Sequence, residues 1–406
     1  MNVHPVPAPG ERRRFPMYTE AFAADPHAAY RWLRGEYGAL VPVELYPGIN
    51  ATLVVDHAMA VRILNDPVNF PADPRQWQRS VPPDCPILPM VGYRENALRS
   101  AGREHARYRA SNVDALSGVS LHEMERTVRR AARQAISSFC ARGEADFLHE
   151  FAKPVVLNSI STTAGAPKPL AARIGTTMKA VFEGGSDAER ANTLLMAALQ
   201  DLIDLKRAQP GDDLVTRLIQ HKSALTDPEL AQQLVTVFGA GYEPTTNTIA
   251  NTELRIQTST RVMDGVSSGA LSIREALDEG LYNDPPMANY CFSYPPQPVV
   301  LDHQVLLAHQ PVVISLAACN NDPTFGNLDQ RLGNRAHLAF SAGPHTCPAA
   351  DMSMVIAQAA LEEVTEALPD MRLAISPDHV RWRPGPFHRA LAALPVVFTP
   401  TAPLTN

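Results

Sequence analysis

The chain has 406 residues, of which 45% are hydrophobic and 19% are charged. This composition is typical of an ordinary globular protein with a sizeable core. The formal net charge of -6 argues against nucleic acid as the main partner, because phosphate binding needs clustered Lys and Arg. No window approaches the roughly 20 apolar residues of a membrane span, and the N-terminus lacks the apolar core of a signal peptide. We therefore expect a cytoplasmic protein without a membrane anchor.

The N-terminal quarter of the chain predicts a mixture of helix, strand and loop. Residues 1–17 are rich in Pro and carry a basic cluster, so we expect a flexible segment there. A helix is predicted over 25–38, and the alternating residues after it predict a small hairpin or meander. A short helix then stops at Asp66-Pro67. Residues 71–100 are Pro-rich without sustained periodicity and predict a long loop.

The rest of the chain is predicted to be mostly helical. Apolar or small residues at helical spacing predict a long helix from Pro228 to about Ser259. Further helices, separated by Pro or Gly, are predicted at 103–116, 121–142, 146–164, 169–183, 187–208 and 212–222. Two β-like runs follow between Val299 and Ala318, then a helix after Cys347 and a final strand pair in RALAALPVVFTP. This order predicts one mainly α domain over residues 1–406, with a minor β lobe.

The five cysteines are scattered along the chain at Cys85, Cys140, Cys291, Cys319 and Cys347. An odd number without a C-x-x-C pair is typical of reduced thiols and not of a disulfide framework. Cys347 differs from the others in its context. Gly343 allows a tight turn before it, and Pro348 suits the first turn of a helix whose dipole points towards the sulfur. This context favours an ionised sulfur that binds a metal.

Three interpretations of Cys347 follow from the residues alone: an inert core thiol, a zinc ligand, or the axial ligand of a larger group. A zinc site would use His337, His345 and Cys347 with one further ligand. Structural zinc normally has four ligands and a Cys or His pair at short spacing, and only His345-x-Cys347 is close. An inert thiol explains neither Gly343 nor His345.

The stretch Phe340-x-x-Gly343-x-His345-x-Cys347-x-Ala349 resembles the haem-ligand loop of the cytochrome P450 superfamily, in which the last position is usually glycine. Other segments resemble the family in the right order: 104–109, 206–214, 239–243, 320–323 and 337–340. The resemblance extends from about residue 20 to 400. It implies the P450 fold, a triangular helical prism with haem b (iron protoporphyrin IX) between the long central helix and the cysteine loop.

The resemblance implies that Cys347 is the axial iron ligand. It also implies that His105 and Arg109 hold the haem propionates, with His345 nearby, since two propionates need cationic or donating partners. Without Cys347, His105 and Arg109 are equally consistent with a polar helix face. Phe340, Gly343 and Ala349 complete the binding loop.

The resemblance assigns Ala240 and Gly241 to the oxygen-binding part of the central helix. Close helix packing is the structural alternative for this pair, although glycine in mid-helix carries a cost that a flat ring packed against it would explain. Glu243, helped by Thr245 or ordered water, would relay protons.

Three departures from the family pattern concern the surroundings of the haem. The usual Glu-x-x-Arg pair is replaced by Glu279-Gly280-Leu281-Tyr282, which places the chain in an unusual subset lacking this arginine. Pro244 takes the place of the threonine that normally follows the acid, and proline is expected to kink the helix. The stretch from Met287 to Pro298 has no arginine, whereas family members usually place a propionate-binding arginine near it.

The function implied by the resemblance is haem-thiolate monooxygenation of a small organic substrate. Electrons would come from a ferredoxin and a ferredoxin reductase, because no flavin or iron–sulfur segment is left over in the chain. The alternative from another class is a catalytically weak haem-binding protein that acts as a sensor or as part of a regulatory complex. The replacements at Tyr282 and Pro244 motivate this alternative. A third possibility is peroxide-driven oxidation, which needs no proton relay to dioxygen.

Overall fold

The computed structural model describes residues 14–183, 188–325 and 334–404. Within these ranges α-helix is the dominant element, and three small sheets form the rest of the regular structure. The expected mainly α architecture with a minor β lobe is confirmed. No helix in the described ranges is both long and apolar enough to cross a membrane.

Helices form where the sequence provides caps and an apolar face. The α-helices of the described ranges are α1 (Glu20–Ala24), α2 (Pro26–Tyr37), α3 (His57–Leu64), α4 (Arg75–Gln78), α5 (Leu88–Val91), α6 (Gly102–Ser117), α7 (Leu121–Phe139), α8 (Lys153–Ala164), α9 (Lys168–Glu183), α10 (Ala188–Ala208), α11 (Leu214–Gln220), α12 (Asp227–Thr258), α13 (Thr260–Ser268), α14 (Ile273–Asn283), α15 (Leu316–Asn320) and α16 (Ala350–Ala367). A π-helical turn, Phe147–Ala152, precedes α8.

The long central helix α12 begins within one residue of the predicted start because its first turn is strongly specified. Thr226 accepts the N–H of Glu229, and the Glu229 side chain accepts the N–H of Thr226, which is a capping box. Pro228 lies in the first turn, where its missing N–H costs nothing. The helix continues through Pro244 to Thr258, so the proline does not end it.

The strands are short and lie mainly beside the first helices. They are β1 (Phe15–Pro16), β2 (Leu40–Tyr46), β3 (Ile49–Val54), β4 (Glu144–Asp146), β5 (Cys291–Ser293), β6 (Val299–Leu301), β7 (Gln304–Leu306), β8 (Val312–Ile314), β9 (Arg372–Leu373) and β10 (Pro395–Val397). The largest sheet has the order β1-β2-β3-β8-β5, with β1 parallel to β2 and β3 parallel to β8. Strands β4, β10 and β9 form a second sheet, and β6 and β7 form a hairpin.

Three local predictions differ from the structure. The predicted loop at 71–100 contains the short helices α4 and α5. The predicted C-terminal strand pair is the single strand β10, which pairs with β4 and β9 instead of with a neighbour in sequence. The expected flexible segment 1–17 lies mostly outside the described residues, but its last part belongs to the fold. There Phe15 pairs with Val43, and Met17 is fully buried.

The main hydrophobic core lies among the helices. It combines one face of α12 with buried side chains of α7, α8, α10, α14 and α16. A second core lies between the five-stranded sheet and the segment 77–91. The cysteine loop follows the 3-10 turn Gly343–His345 and leads directly into α16, so the core fixes the position of Cys347 from one side.

Candidate active site

The backbone of the cysteine loop is held in one conformation by its own hydrogen bonds. The N–H of Cys347 donates to the carbonyl of Phe340 at 2.8 Å, and the N–H of Thr346 donates to the carbonyl of Gly343 at 3.0 Å. Gly343 has φ +68°, and a Cβ at this position would lie 2.1 Å from the backbone oxygen of Leu64. Only glycine fits this turn, which is the physical reason for the glycine in the motif.

The Cys347 sulfur lies where a thiolate receives partial support from the chain. Burial raises the pKa of the Cys347 thiol, while the N–H of Ala349 and the charge of Arg109 lower it. Helix α16 begins at Ala350, so its N-terminal dipole also favours negative charge at the sulfur. A buried thiol in this setting ionises readily when a metal ion takes the place of the proton.

The structure brings His105, Arg109 and His345 together beside this sulfur. The rings of His105 and His345 lie 4.1 Å apart, centroid to centroid. Burial, followed by the charge of Arg109, lowers the pKa of His105, and burial with three neighbouring basic groups lowers that of His345 to about 3. Nε2 of His105 is buried and has no hydrogen-bond partner.

Arg99 is a fourth member of this basic cluster, and sequence reasoning missed it. Its side chain is only 2% exposed, and it is one of the charged groups that lower the pKa of His345. The guanidinium lies over the rings of Tyr290 and Phe292, at 4.8 and 5.5 Å from their centroids. It therefore lies against the same stretch in which the family usually has a propionate-binding arginine.

Arg99 and Arg109 face no carboxylate among the described residues. The Arg99 guanidinium donates to the carbonyl of Met90 at 2.8 Å, and no ion pair within the described ranges includes Arg99 or Arg109. Buried cations are normally paired, because an unpaired buried charge is costly. A donor set of two arginines and two histidines beside a thiol fits an iron porphyrin with two propionates.

The central helix borders a cavity of about 100 Å³, which is partly open to solvent. Gly239, Ala240, Glu243 and Pro244 form its wall on the α12 side. Pro244 thus occupies the cavity wall at the position where the family has threonine. Other wall residues come from α9, α10, the segment before α6 and the segment after α14.

Glu243 is buried and already has a cationic partner. It forms an ion pair with Arg383, and Asn247 Nδ2 donates to its Oε1 at 3.2 Å. His388, which also borders the cavity, has a pKa lowered to about 4, mainly by burial. The Arg383 partner comes from the C-terminal segment, 140 residues away, so sequence spacing contained no signal for this pair.

Gly241 and Thr245 are not among the residues that line this cavity, and their assignments stay predictions. A Cβ at Gly241 would lie 3.0 Å from Cδ1 of Ile160, so the glycine is explained by close packing of α12 on α8. The hydroxyl of Thr245 lies 3.1 Å from that of Ser353 on α16. On a 3.6-residue helix, both positions are rotated away from the face that carries Ala240 and Pro244.

Glu279 is satisfied by two arginines that the sequence pattern did not indicate. It pairs with Arg255 of α12 at 2.8 Å and with Arg261 of α13. The neighbouring acid Asp278 contacts the segment before the cysteine loop, with Arg335 at 3.1 Å and His337 at 4.0 Å. Asp278 therefore connects α14 to the segment before the cysteine loop.

Tyr282, at the expected arginine position, also packs against this segment. Its ring lies 5.3 Å from that of His337 and 6.5 Å from that of Phe325, both edge-on. The connection between α14 and the cysteine-loop segment thus combines an aromatic contact with the Asp278 ion cluster.

The zinc interpretation has no support from the described residues. No three His, Cys, Asp or Glu side chains come together there in a way that would hold a metal ion. His337, one of its proposed ligands, lies beside Asp278 and Tyr282.

No family model matches the chain, but curated relatives do. The cytochrome P450 monooxygenase PikC of Streptomyces venezuelae is 29% identical over 387 residues, covering 92% of this chain and 91% of the relative. Cytochrome P450 107B1 of Saccharopolyspora erythraea is 26% identical, with coverage of 93% and 96%. Among solved structures, CYP154C4 of Streptomyces sp. ATCC 11861 has a TM-score of 0.87 and 25% identity, and covers 97% of this chain.

The fold, the cysteine loop and the unpaired cations beside it define a haem-thiolate protein. With relatives matching over nearly its whole length, the chain belongs to the cytochrome P450 superfamily and is a P450-type oxidoreductase.

Proposed function

We propose that the chain is a monooxygenase that inserts one oxygen atom of O2 into a small organic substrate, with haem b held by Cys347. The observation that carries this proposal is the thiol of Cys347 beside two arginines that face no carboxylate. Bound haem would supply dioxygen activation, with thiolate ligation favouring O–O cleavage.

Four side chains are proposed to hold the two propionates. Arg99 and Arg109 provide one positive charge for each, so the charges balance. His105 and His345, whose lowered pKa values keep them neutral, provide N–H donors. Phe340, Gly343 and Ala349 hold the loop that presents the sulfur.

Glu243 is the proposed proton carrier of the cavity. Its Oε1 is held by Arg383 and Asn247, so proton transfer at this oxygen requires that the Arg383 contact opens. The hydroxyl of Thr245, the proposed helper of Glu243, lies 3.1 Å from that of Ser353. Ordered water next to Pro244 would have to replace the missing threonine hydroxyl.

Electrons are proposed to come from a ferredoxin and a ferredoxin reductase. A solved P450 structure covers 97% of this chain, and we propose that the electron donors are separate proteins. A cytoplasmic location, expected from the reduced cysteines, stays a prediction.

The second candidate, a haem-binding sensor or regulatory component, is favoured by one specific observation. Glu243 is tied to Arg383 and is followed by Pro244 in the cavity wall. This arrangement would slow proton delivery without affecting the residues proposed to hold haem.

Turnover with isotopically labelled O2 separates the two candidates. The haem-loaded protein is combined with a surrogate ferredoxin and reductase, and NADH use is compared with labelled product over a panel of organic compounds. A monooxygenase forms product containing one labelled oxygen atom, and Glu243→Gln lowers its rate roughly 100-fold without changing haem content. NADH consumption without an oxygenated product from any compound would favour the sensor.

A further inference from the structure

Arg94 is a cation in the cavity wall that the proposed chemistry does not use. It lies between α5 and α6 and borders the cavity together with Met90 and Tyr290. Its guanidinium reaches two neutral acceptors at long distance, Gln232 Oε1 and the carbonyl of Pro89, each at 3.4 Å. Burial lowers the pKa of Arg94, and the charge of Arg99 lowers it further. Arg94 is therefore a half-buried cation that has no anionic partner among the described residues.

The acidic groups near Arg94 are occupied or turned outward. Glu243 borders the same cavity, but it is paired with Arg383. Glu95, the next residue in sequence, is exposed, and no ion pair in the described ranges joins it to Arg94. His388 is neutral near pH 7, because burial lowers its pKa to about 4. The cavity wall thus has an excess of positive charge at the end formed by the segment before α6.

The proposed cofactor does not account for this excess. Its two propionates are matched by Arg99 and Arg109, which leaves Arg94 over. Arg94 also borders a shallow pocket on the outer side, with Tyr93 and Gln232. Arg94 therefore lies between the cavity and the surface, where it could contact a substrate that enters or occupies the cavity.

A second polar group of the wall has no hydrogen-bond partner within the described ranges. The side-chain oxygen assigned to Asn192, on α10, is buried without a hydrogen bond. Because the oxygen and nitrogen of an amide are exchanged by a 180° flip, Asn192 can present its NH2 group to the cavity instead. The remaining wall is largely apolar, with Met90, Met178, Val181, Leu195, Val235 and Met287.

We infer that the substrate of this enzyme carries a carboxylate that Arg94 binds, joined to an apolar body that fills the rest of the cavity. Asn192 is a candidate second donor to the same ligand. The inference rests on the proposed function, since it names the substrate class of the same cavity. The sequence predicted a small organic substrate without specifying its charge, whereas this inference specifies a carboxylate.

Matched pairs of probes test the inference in the haem-loaded protein. Linear alkanoates of increasing chain length and the alcohols of equal length are titrated, with binding followed by calorimetry and by the haem absorption spectrum. The wild type should bind the best alkanoate at least about tenfold more tightly than its alcohol, because a buried charge-assisted hydrogen bond is lost in the alcohol. Arg94→Gln should remove this preference and leave alcohol affinity unchanged, while Arg94→Lys retains part of it.

The control variant is Arg103→Gln, which removes an equal charge from an exposed position on α6. It should keep the full preference, which separates direct binding from the general charge of the protein. Three results would overturn the inference. The wild type could bind acid and alcohol with equal affinity, the preference for the acid could survive in Arg94→Gln, or none of the alkanoates could bind. If the haem-loaded protein lacks the spectrum of thiolate ligation, the proposed function fails instead, independently of these titrations.

Discussion

The two sides of the proposed haem site differ in how they bury charge. On the cysteine side, Arg99 and Arg109 are cations that face no acid in the part of the chain that the structure describes. On the central helix, Glu243 is an acid that is already paired with Arg383. The first arrangement is incomplete without an anionic ligand, whereas the second is complete within the protein. The difference indicates that the described residues suit a haem, and that the proposed proton delivery by Glu243 would require an ion pair to open.

A second acid of α12 extends the comparison and gives the largest expected effect. Glu253 is 2% exposed, and burial raises its pKa to about 7. Among the described residues it contacts Gln257, whose amide donates to Oε1 at 2.7 Å. Between pH 4.5 and about 7 the folded protein keeps a proton that the unfolded chain has lost. Stability therefore falls as pH rises through this window.

Glu253→Gln should remove this loss, because a glutamine keeps the contact with Gln257 and carries no charge. We expect the variant to be about 3 kcal/mol more stable than the wild type at pH 8 and nearly equal to it at pH 4.5. Denaturant unfolding at both pH values measures the difference. Glu366→Gln, at an exposed position of α16, is the control. A wild type whose stability does not fall from pH 5 to pH 8 would show that Glu253 has another partner.

On the cysteine side, Asp278 and Glu279 are neighbouring acids with different contacts, so they form a matched pair. Asp278 contacts Arg335 and His337, which lead into the cysteine loop, whereas Glu279 contacts Arg255 and Arg261. Asp278→Ala and Glu279→Ala should each lower the free energy of unfolding by about 2–3 kcal/mol. Only Asp278→Ala should also accelerate haem loss. Equal haem loss in both variants would mean that the connection to the loop does not depend on Asp278.

The cation side is tested most sharply at Arg99. Arg99→Met should weaken haem retention by about 2 kcal/mol, roughly 30-fold, because one propionate loses its charged partner. The measurement is the rate at which haem transfers to an excess of a scavenging apoprotein. The rate of haem transfer from Arg99→Lys should lie between those of the wild type and Arg99→Met. Arg103→Met, at an exposed position of α6, should transfer haem at the wild-type rate. Unchanged transfer in Arg99→Met would leave Arg109 and the histidines as the complete propionate set.

Sequence reasoning predicted the features that are encoded locally. The cysteine loop, the glycine turn at Gly343 and the start of α12 are specified by a few neighbouring residues, so their pattern is visible in the sequence. Residues whose roles depend on distant contacts were not predicted. Arg99 lies in a Pro-rich stretch without periodicity and acquires its setting from Tyr290 and Phe292.

At two motif positions the structure shows contacts that the sequence did not predict. Gly241 matches the family motif, but helical rotation directs it towards Ile160. The Glu-x-x-Arg pattern directed attention to Tyr282, while the ion contacts with the cysteine-loop segment are made by Asp278. In both cases the motif located the correct helix, and the tertiary contacts decided which side chain acts.

The central claim is that Cys347 is the thiolate ligand of a haem, and the spectrum of the reduced protein with carbon monoxide tests it most directly. The wild type should show the absorption band typical of thiolate ligation, and so should Cys140→Ser, which changes a fully buried thiol of the core. Cys347→Ser should lose this band. A wild type without the band, or a Cys347→Ser variant that keeps it, would contradict the account.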